Sequence, residues 1–196
     1  MGKKAWDRVR EKRGRETRER QTGSTLSPDD ILYEDNWLIV VNKPAGIIIH
    51  GDGTGTVTLT DQVRALLAQR HGADAPCVRE AQALQRLDRD TCGIVLFCTQ
   101  KAAQPHFDAL IARHELRKEY LAMVEGRVPW QMRSFDEPLG RDRHDARKMR
   151  VSPTGKTALT HARKLGEKCL GRRACTLLSV KIETGRKHQI RVHLSQ

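Results

Sequence analysis

A dense group of charged and polar side chains occupies residues 85–93. The segment holds two carboxylates, two guanidiniums and a hydroxyl, immediately before the β-prone run 94–98. A carboxylate at the end of a strand can act as an acid, or as a nucleophile whose negative charge is stabilised by a nearby arginine. The alternative is a solvated turn with local ion pairs, each worth under about 1 kcal/mol. Composition alone favours the solvated turn, so a chemical role needs support from the rest of the chain.

Two later segments also carry side chains suited to a nucleic acid. Tyr120 lies among β-prone and basic residues, where its ring could stack on a nucleobase or simply fill the core. Residues 184–193 combine the end of a strand, a glycine turn and the start of a short helix rich in Arg, His and Gln. Such a helix start suits an anion, either a phosphate or a catalytic carboxylate. His188 and His193 are five residues apart and face different sides of a helix, which argues against a metal site.

The chain is strongly basic. Its 196 residues carry 36 Lys and Arg against 24 Asp and Glu, which gives a formal net charge of +12 and a pI near 9.9. The positive charge is concentrated in three blocks, which are residues 1–26, 141–150 and 161–193. An excess of this size indicates a polyanionic partner, and RNA, DNA and an anionic membrane surface are the candidates.

Composition excludes several classes of protein. No apolar run approaches the roughly 18 residues of a membrane span, and no apolar stretch follows the basic N-terminus, as a secretory signal would require. The five cysteines are odd in number and form no C-x-x-C pair, so neither a disulfide framework nor a zinc site is predicted. We therefore expect a cytoplasmic protein that spans no membrane and holds no metal.

The order of predicted elements indicates an α+β fold. Residues 1–26 are too polar to bury a core, which predicts a disordered basic arm followed by one catalytic domain over 27–196. Strands and helices mix without strict β-α-β alternation, so we expect a central mixed, largely antiparallel sheet with flanking helices. Pro105 is expected to kink its helix or to delay the start. The predicted strands are 37–41, 47–50, 94–98, 120–124 and 176–182. Thr60 is predicted to cap a helix that closes at His71 and Gly72, Thr99 is predicted to cap a second helix, and a short third helix is predicted near Ile190.

Five spaced segments resemble the motifs of one known family. They are 41–46 (VNKPAG) as an opening strand and turn, 86–93 as an R-L-D-x-x-T-x-G signature, 117–122 as a tyrosine motif, 155–160 as a G-K-x-A-x-T segment, and 185–193 as a closing motif. In this order the chain resembles the RluA-type family of RNA pseudouridine synthases over roughly residues 31–194. Five matches in register argue strongly against chance.

The resemblance implies an isomerase that detaches uracil from its ribose, rotates it and rejoins it through a ring carbon. Asp88 matches the family's nucleophilic carboxylate, and Arg191 matches the arginine that keeps this carboxylate ionised in a partly dry pocket. Tyr120 matches the tyrosine that packs on the target base. Arg86 matches the residue that fills the space left when the uridine is flipped out of its stack. The implied reaction uses no cofactor.

The resemblance also implies RNA as the partner, which is ribosomal RNA, transfer RNA or both. Basic side chains of such proteins position the phosphate backbone without reading its sequence. We expect the protein to act as a monomer. The side chains expected to contact RNA are Arg86, Arg89, Arg186, Lys187, His188 and Gln189.

The chain departs from the family pattern at three places. Gln85 stands where histidine is frequent and Cys92 where serine is usual, but both changes leave Asp88 in place. The family usually continues past the position of Gln196 through a further motif and strand, so we expect a catalytic domain that lacks the usual C-terminal end. A catalytically silent RNA-binding protein that retains the fold is therefore the alternative function.

Overall fold

The computed structural model describes residues 25–51, 53, 55–145 and 147–196 and has an α+β architecture, as predicted. Every strand pair in these residues is antiparallel. The chain divides into two compact units, the first ending at Ala109 and the second running from Leu110 to Gln196. The strands described are β1 (Ile31–Glu34), β2 (Leu38–Lys43), β3 (Gln82–Ala83), β4 (Gly93–Cys98), β5 (Lys118–Glu125), β6 (Met132–Phe135), β7 (Leu139–Arg141), β8 (Met149–Val151), β9 (Thr160–Leu170) and β10 (Arg173–Ile182).

Most of the predicted basic arm, residues 1–24, lies outside the described residues, so the arm stays a prediction. The described chain begins next to the core of the first unit. Leu26 is buried in that core, and its amide donates to the Gln62 side-chain oxygen at 2.6 Å. The folded part of the chain therefore includes at least Leu26, one residue before the predicted boundary.

The sheet of the first unit has the strand order β1-β2-β4-β3. Ile39, Val41 and Lys43 point from β2 to the same side, and each is 0% exposed, because alternate residues of a strand face the same way. The first two join Val95 and Phe97 of β4 in the core. The buried row of β2 therefore ends in a charged residue.

The helix predicted near Thr60 begins one residue before it, and Thr60 is not its cap. Four helices lie in the described part of the chain, which are α1 (Leu59–His71), α2 (Pro76–Glu80), α3 (Gln104–Ala112) and α4 (Gln189–His193). The cap of α1 is Thr58, whose hydroxyl accepts from the Asp61 amide at 3.1 Å while the Asp61 carboxylate accepts from the Thr58 amide at 2.9 Å. These bonds hold the pKa of Asp61 below its ordinary value. Thr60 instead donates its hydroxyl to the Ile49 carbonyl at 2.7 Å.

The strand predicted over 47–50 does not form. The carbonyls of Ile48 and Ile49 instead accept hydrogen bonds from the amides of Leu59 and Thr60, at 2.8 and 3.3 Å. These amides belong to the first turn of α1, where backbone donors have no partner within the helix. Ile47 and Ile49 are nevertheless buried in the core. The apolar run therefore fills the core with its side chains, and its carbonyls accept hydrogen bonds from the first turn of α1.

The helix predicted from Thr99 starts later, at Gln104. Residues 101–103 form a 3-10 turn before it, and Pro105 is its second residue, a position that needs no backbone N–H. The prediction that Pro105 delays the helix is confirmed. The prediction that Thr99 caps it is wrong, because the Thr99 hydroxyl donates to the Asn36 carbonyl at 3.1 Å.

The sheet of the second unit has the strand order β5-β10-β9-β6. Leu178, Val180 and Ile182 of β10 share its buried face, as their alternation predicts. Phe135 of β6 and Ile190 of α4 complete this second core. β7 and β8 form a separate hairpin. One face of β10 packs on this core while the residues of the other face are more exposed, which explains its period-two pattern.

Candidate active site

Asp88 lies in the loop between β3 and β4 of the first unit. Its side chain is half-buried, whereas Arg86 and Arg89 of the same loop are exposed. The Thr91 amide donates to the Asp88 carbonyl at 3.1 Å, which closes a turn directly after this residue. Cys92 follows the turn and is exposed. The segment is thus a tight polar turn that carries a partly desolvated carboxylate.

The turn after β2 is bonded to the Asp88 loop through the backbone of Arg89. The Arg89 carbonyl accepts two hydrogen bonds, one from the Gly46 amide and one from the Lys43 ammonium, both at 2.9 Å. The Arg89 guanidinium donates back to the Gly46 carbonyl at 3.3 Å. Gly46 has a φ of 90°, a left-handed conformation that glycine adopts without strain. Segments 41–46 and 86–93 therefore form one hydrogen-bonded structure.

Lys43 is a residue of this site that the sequence reasoning missed. Its ammonium also donates to the Pro44 carbonyl at 2.9 Å. Burial lowers the pKa of Lys43 below its ordinary value, and the nearby Cys92, Asp90 and Asp88 side chains oppose this shift. A signal for it existed in the sequence, because Lys43 falls in phase with the buried residues of β2.

His50 brings an imidazole into the same unit. Its side chain is half-buried, and burial lowers the pKa of His50 below its ordinary value, with the positive charge of Arg86 acting in the same direction. A histidine shifted this way is neutral at pH 7. Arg86 is therefore close enough to His50 for its positive charge to lower the pKa of the imidazole.

Tyr120 lies on β5 of the second unit, opposite Val180 of β10. Its half-buried ring packs against the second core, on the same face of the sheet as Phe135. Leu121 and Met123 alternate with the core-facing residues, and they are 72% and 60% exposed. Tyr120 therefore does fill the core, as one of the two sequence interpretations held, while part of its surface remains accessible.

Gln189, the first residue of α4, holds the turn that precedes the helix. Its side-chain oxygen accepts from the Thr184 hydroxyl at 2.8 Å and from the Arg186 amide at 3.0 Å. Its nitrogen donates to the Leu159 carbonyl at 3.0 Å and to the Thr160 hydroxyl at 2.9 Å. These four bonds use the full capacity of an amide side chain, and Gln189 is 3% exposed. The expectation that Gln189 contacts RNA is therefore corrected, since burial assigns it to positioning this turn.

Thr160 and His193 extend the hydrogen-bonded network of Gln189, and the sequence reasoning did not identify either residue. The Nε2 atom of His193 lies 3.0 Å from the Glu137 carbonyl, which can only accept, so Nε2 carries the ring proton. The Thr160 hydroxyl then donates to Nδ1 at 2.8 Å while accepting from Gln189. The His193 ring stacks on Phe135, with ring centroids 5.8 Å apart. The network joins segment 155–160 to the closing motif.

The side chains of the closing motif that reach the surface are basic. Lys187 and Arg191 are exposed, and Arg186 and His188 are partly exposed. The Arg186 guanidinium donates to the Thr157 carbonyl at 2.8 Å. His188 has a φ of 54°, which is uncommon for a residue with a side chain. The predictions that Arg186, Lys187 and His188 contact RNA stay predictions, and their exposure is compatible with them.

The predicted site residues fall into two groups. Asp88, Arg86 and Arg89 lie on one loop of the first unit. Tyr120 lies on β5 of the second unit, and Arg191 lies on α4 of that unit. The Asp88 loop and the turn that precedes α4 are each held by hydrogen bonds within their own unit. The pairing of Asp88 with Arg191 stays a prediction.

Gly155 explains the glycine of the G-K-x-A-x-T segment. A Cβ atom at this position would lie 2.5 to 2.8 Å from three backbone atoms of Leu139. The two backbones approach closely because Leu139 and Lys156 exchange two hydrogen bonds, each of 2.9 Å. Only glycine fits such a contact without moving one of the chains.

We expect Gly155→Ala to lower the free energy of unfolding by about 2–3 kcal/mol, because the added methyl group forces the two backbones apart. Urea denaturation measures this loss. Gly166→Ala on β9 is the matched control, since a Cβ there meets nothing within 4 Å, and it should change stability by about 0.5 kcal/mol or less. Equal losses in the two variants would show that the close approach to Leu139 is not the reason for the glycine.

The described residues contain neither a membrane-spanning helix nor a cluster of metal-binding side chains. None of their helices is long and apolar enough to cross a membrane. None of their His, Cys, Asp and Glu side chains form a group of three or more that could hold a metal ion. All five cysteines are free thiols.

Proteins of similar sequence carry the names of RNA pseudouridine synthases. The family model described as RNA pseudouridylate synthase matches residues 37–196. The chain is 35% identical over 166 residues to an uncharacterized RNA pseudouridine synthase of Bacillus subtilis (strain 168), covering 85% of this chain and 53% of that protein. It is 37% identical over 171 residues to ribosomal large subunit pseudouridine synthase D of Yersinia pestis, covering 86% and 49%. The chain thus spans about half the length of these curated relatives.

Solved structures show the same fold. The structure titled human RNA pseudouridylate synthase domain containing 4 superimposes with a TM-score of 0.65 at 28% identity, covering 85% of this chain and 64% of that one. The structure titled human RNA pseudouridylate synthase domain containing 1 superimposes with a TM-score of 0.69 at 24% identity, with the same coverage of the two chains. The family match spans most of the chain and includes all five sequence motifs in full. The chain belongs to the RNA pseudouridylate synthase family, as its resemblance to the RluA-type members predicts.

Proposed function

We propose that the protein is an RNA pseudouridine synthase that isomerises uridine to pseudouridine in structured RNA, with Asp88 as its nucleophile. The observation that carries this proposal is the Asp88 loop. A half-buried carboxylate lies on a turn whose next residue, Arg89, is bonded at its backbone to Lys43 and Gly46. A nucleophile must be held in one place to react efficiently, and this loop provides such a place within a chain of the matching family.

The proposed reaction moves one bond and exchanges one proton. The bond between ribose C1′ and uracil N1 breaks, the base turns, and a bond between C1′ and C5 forms. The hydrogen on C5 leaves as a proton, and N1 gains one. The Asp88 carboxylate attacks either the ribose or the base, and the covalent bond that it forms breaks again before the product leaves, so the carboxylate is regenerated. No electrons are gained or lost, so the chemistry itself calls for no redox cofactor.

Tyr120 and Arg191 complete the proposed catalytic set. The guanidinium of Arg191, exposed on α4, favours the ionised form of a carboxylate near it. Tyr120 offers the accessible part of its ring to the target base. Arg86, exposed on the Asp88 loop, takes the place of the flipped uridine in the RNA stack.

Basic side chains supply the proposed contacts to the RNA backbone. The β7–β8 hairpin presents Arg141 and Arg143 as exposed side chains. Its acidic residues are bonded within the hairpin, because Asp142 accepts from backbone amides and Asp145 accepts from Arg147, which lowers the pKa of Asp145 to about 2. The hairpin is therefore a surface with positive side chains directed outward, and RNA binding should weaken with salt.

Large-subunit ribosomal RNA is the first substrate that we propose, because the Yersinia relative is named for the large ribosomal subunit. Transfer RNA is the second. We also propose that the protein works in the cytoplasm, where its five free thiols would remain reduced.

The test is tritium release from RNA labelled at C5 of uridine, because forming the new bond expels that hydrogen. We expect release from ribosomal RNA by the purified protein, without added cofactor. A protein with a cooperative melting transition that releases tritium from neither ribosomal nor transfer RNA would contradict the proposal. If such a protein still bound RNA, a silent RNA-binding function would replace it.

A further inference from the structure

The hairpin that joins β9 to β10 extends beyond the neighbouring strands of the second sheet. β6 pairs with β9 over residues 160–163. β5 pairs with β10 as far as Cys175, and the Gly126 amide donates to the Ala174 carbonyl at 2.8 Å. Residues 168–173, which we call the hairpin tip, are all exposed, and in them β9 and β10 pair with each other. The tip therefore projects from the sheet.

A tight turn closes the hairpin tip. Leu170 of β9 pairs with Arg173 of β10, which leaves Gly171 and Arg172 as a two-residue loop. Gly171 has a φ of 62°, which fits the first loop position of a type II′ turn and which glycine adopts without strain. Two-residue turns of this class match the twist of the paired strands. Two consecutive arginines are therefore presented at a well-defined end of the hairpin.

The strand register places the basic side chains of the tip together. Neighbouring residues of a strand point to opposite faces, so Lys168 and Glu167 are on different faces of β9. Residues opposite one another in a pair share a face, and Leu170 pairs with Arg173. Lys168 lies two residues before Leu170 and therefore has Arg173 on its own face. This face carries two cations, and Arg172 lies in the adjoining turn.

Two acidic side chains near the tip do not cancel its positive charge. The Glu167 carboxylate accepts from the Lys164 ammonium at 2.9 Å and lies 3.7 Å from the Arg127 guanidinium, and these groups hold the pKa of Glu167 below its ordinary value. Glu125 lies 3.7 Å from Arg173, and the two side chains are 71% and 76% exposed, so their attraction is weak in water. The tip therefore keeps an excess of positive charge.

This concentration of charge favours a polyanionic partner. The tip holds three Lys and Arg and no Asp or Glu. Like charges on neighbouring strands repel one another, so the arrangement does not stabilise the fold by itself. Basic side chains of this kind gain free energy when they neutralise phosphates and release the bound counterions. The matching family is described as RNA pseudouridylate synthase, which favours RNA over other polyanions.

The tip and the closing motif lie at opposite ends of β10. A strand rises about 3.3 Å per residue, so Arg173 at the start of β10 is about 30 Å from Ile182 at its end. The closing motif begins at Gly185, three residues after Ile182. A duplex turn is about 34 Å in DNA, so an RNA helix of roughly one to two turns is long enough to contact the closing motif and the tip together.

We propose that the hairpin tip is a second RNA-binding surface, on which Lys168, Arg172 and Arg173 contact the phosphate backbone at a distance from the closing motif. The inference rests on the function proposed above, and it adds a preference for a class of substrate. RNA whose helix extends well beyond the target loop gains this contact, whereas a short isolated stem-loop lacks it. The three side chains contribute affinity and take no part in the isomerisation.

The test uses the triple variant Lys168→Gln, Arg172→Gln and Arg173→Gln. Filter binding measures its RNA dissociation constant on two stem-loops that share one loop, with stems of about half a duplex turn and about two turns. On the long stem the variant should bind roughly tenfold more weakly than the wild type, and the slope of log affinity against log salt should fall by about two. On the short stem its affinity should stay within about twofold of the wild type.

The matched control is the triple variant Arg79→Gln, Lys101→Gln and Arg113→Gln. These residues are exposed and lie outside the hairpin and the five sequence motifs, so the variant has the same net charge with the tip intact. It should bind the long stem within about twofold of the wild type. An equal loss in the two triple variants would show that net charge, and not the tip, determines the affinity.

A second variant of the tip keeps its charge, with Lys168→Arg, Arg172→Lys and Arg173→Lys. It should bind the long stem within about twofold of the wild type, because phosphate contacts depend chiefly on positive charge. If this variant lost as much affinity as the glutamine variant, a structural change of the hairpin would account for both losses.

Binding and catalysis are measured separately, so the inference and the proposed function can fail independently. Single-turnover tritium release at saturating RNA should be equal in the glutamine variant and the wild type. A wild type that binds the long stem but releases no tritium contradicts the proposed function and leaves the binding test valid. Wild-type affinity of the glutamine variant for the long stem would overturn the inference, and so would equal losses on the two stems. A loss confined to vesicles of phosphatidylserine and phosphatidylcholine in equal parts would assign the tip to a membrane surface instead.

Discussion

Asp88→Asn is expected to slow tritium release from uridine-labelled RNA by about 10³-fold or more. Asparagine has nearly the shape of aspartate but cannot act as an anionic nucleophile, and removing the nucleophile of a covalent mechanism abolishes most of the rate. RNA affinity should remain within about twofold of the wild-type value, because phosphate contacts from basic residues dominate binding. Single-turnover release and filter binding on the same RNA measure the two quantities.

Asp90→Asn provides the control for this result. Asp90 lies two residues further along the same loop and is exposed, so the substitution removes the same charge from nearly the same place. Its release rate should stay within a few fold of the wild type. Release by Asp88→Asn at the wild-type rate would refute the assignment of the nucleophile, and equal losses in both variants would indicate a general effect of loop charge.

Thr160→Val is expected to reduce both stability and rate. Valine matches the shape of threonine but removes the hydroxyl that bonds Gln189 and His193. Leaving buried polar groups without a partner costs about 1–3 kcal/mol, which urea denaturation measures. Gln189 holds the turn that leads into α4, so Arg191 on that helix should be displaced. We expect the rate of tritium release to fall by roughly 10²-fold, in line with the cost of misplacing a catalytic group.

Thr176→Val separates the two effects. Thr176 is also 0% exposed, and its hydroxyl donates to the Gly126 carbonyl at 2.9 Å and accepts from the Val128 amide at 3.3 Å. These bonds lie at the far end of β10 from the closing motif. We expect a similar loss of stability with an unchanged rate at a temperature where both variants are folded. If Thr176→Val lost as much rate as Thr160→Val, general destabilisation would account for both results.

Local patterns in the sequence predict elements but not the contacts that set their ends. The alternation of β10 and the end of α1 at His71 were predictable because each follows from the residues of that element alone. The cap at Thr58 was not, because Thr60 fits a cap equally well and only its bond to the Ile49 carbonyl decides. Residues 47–50 resemble a strand when the segment is taken alone. Only the structure shows that their carbonyls accept hydrogen bonds from the first amides of the helix that begins at Leu59.

The sequence motifs propose the candidate site, but they do not show which contacts support it. The resemblance named Asp88 and the closing motif, but Lys43 bonds a carbonyl 46 residues away, and His193 bonds Thr160 across 33 residues. Periodicity shows which face a residue occupies and never which partner it meets. Gln189 illustrates the reverse error, because a polar side chain in a basic segment suggested RNA while its bonds are all internal.

The Arg89 carbonyl accepts two hydrogen bonds, and this limits how the protein can be redesigned. Its donors, Lys43 and Gly46, are three residues apart on one turn, so an inserted residue between them would pull one donor away from the oxygen. A designer who grafts the R-L-D loop onto another scaffold would obtain a carboxylate of the right type in the wrong place, unless the turn after β2 is transferred too. The smallest transferable part is therefore two strands with their adjoining turns, not a single loop.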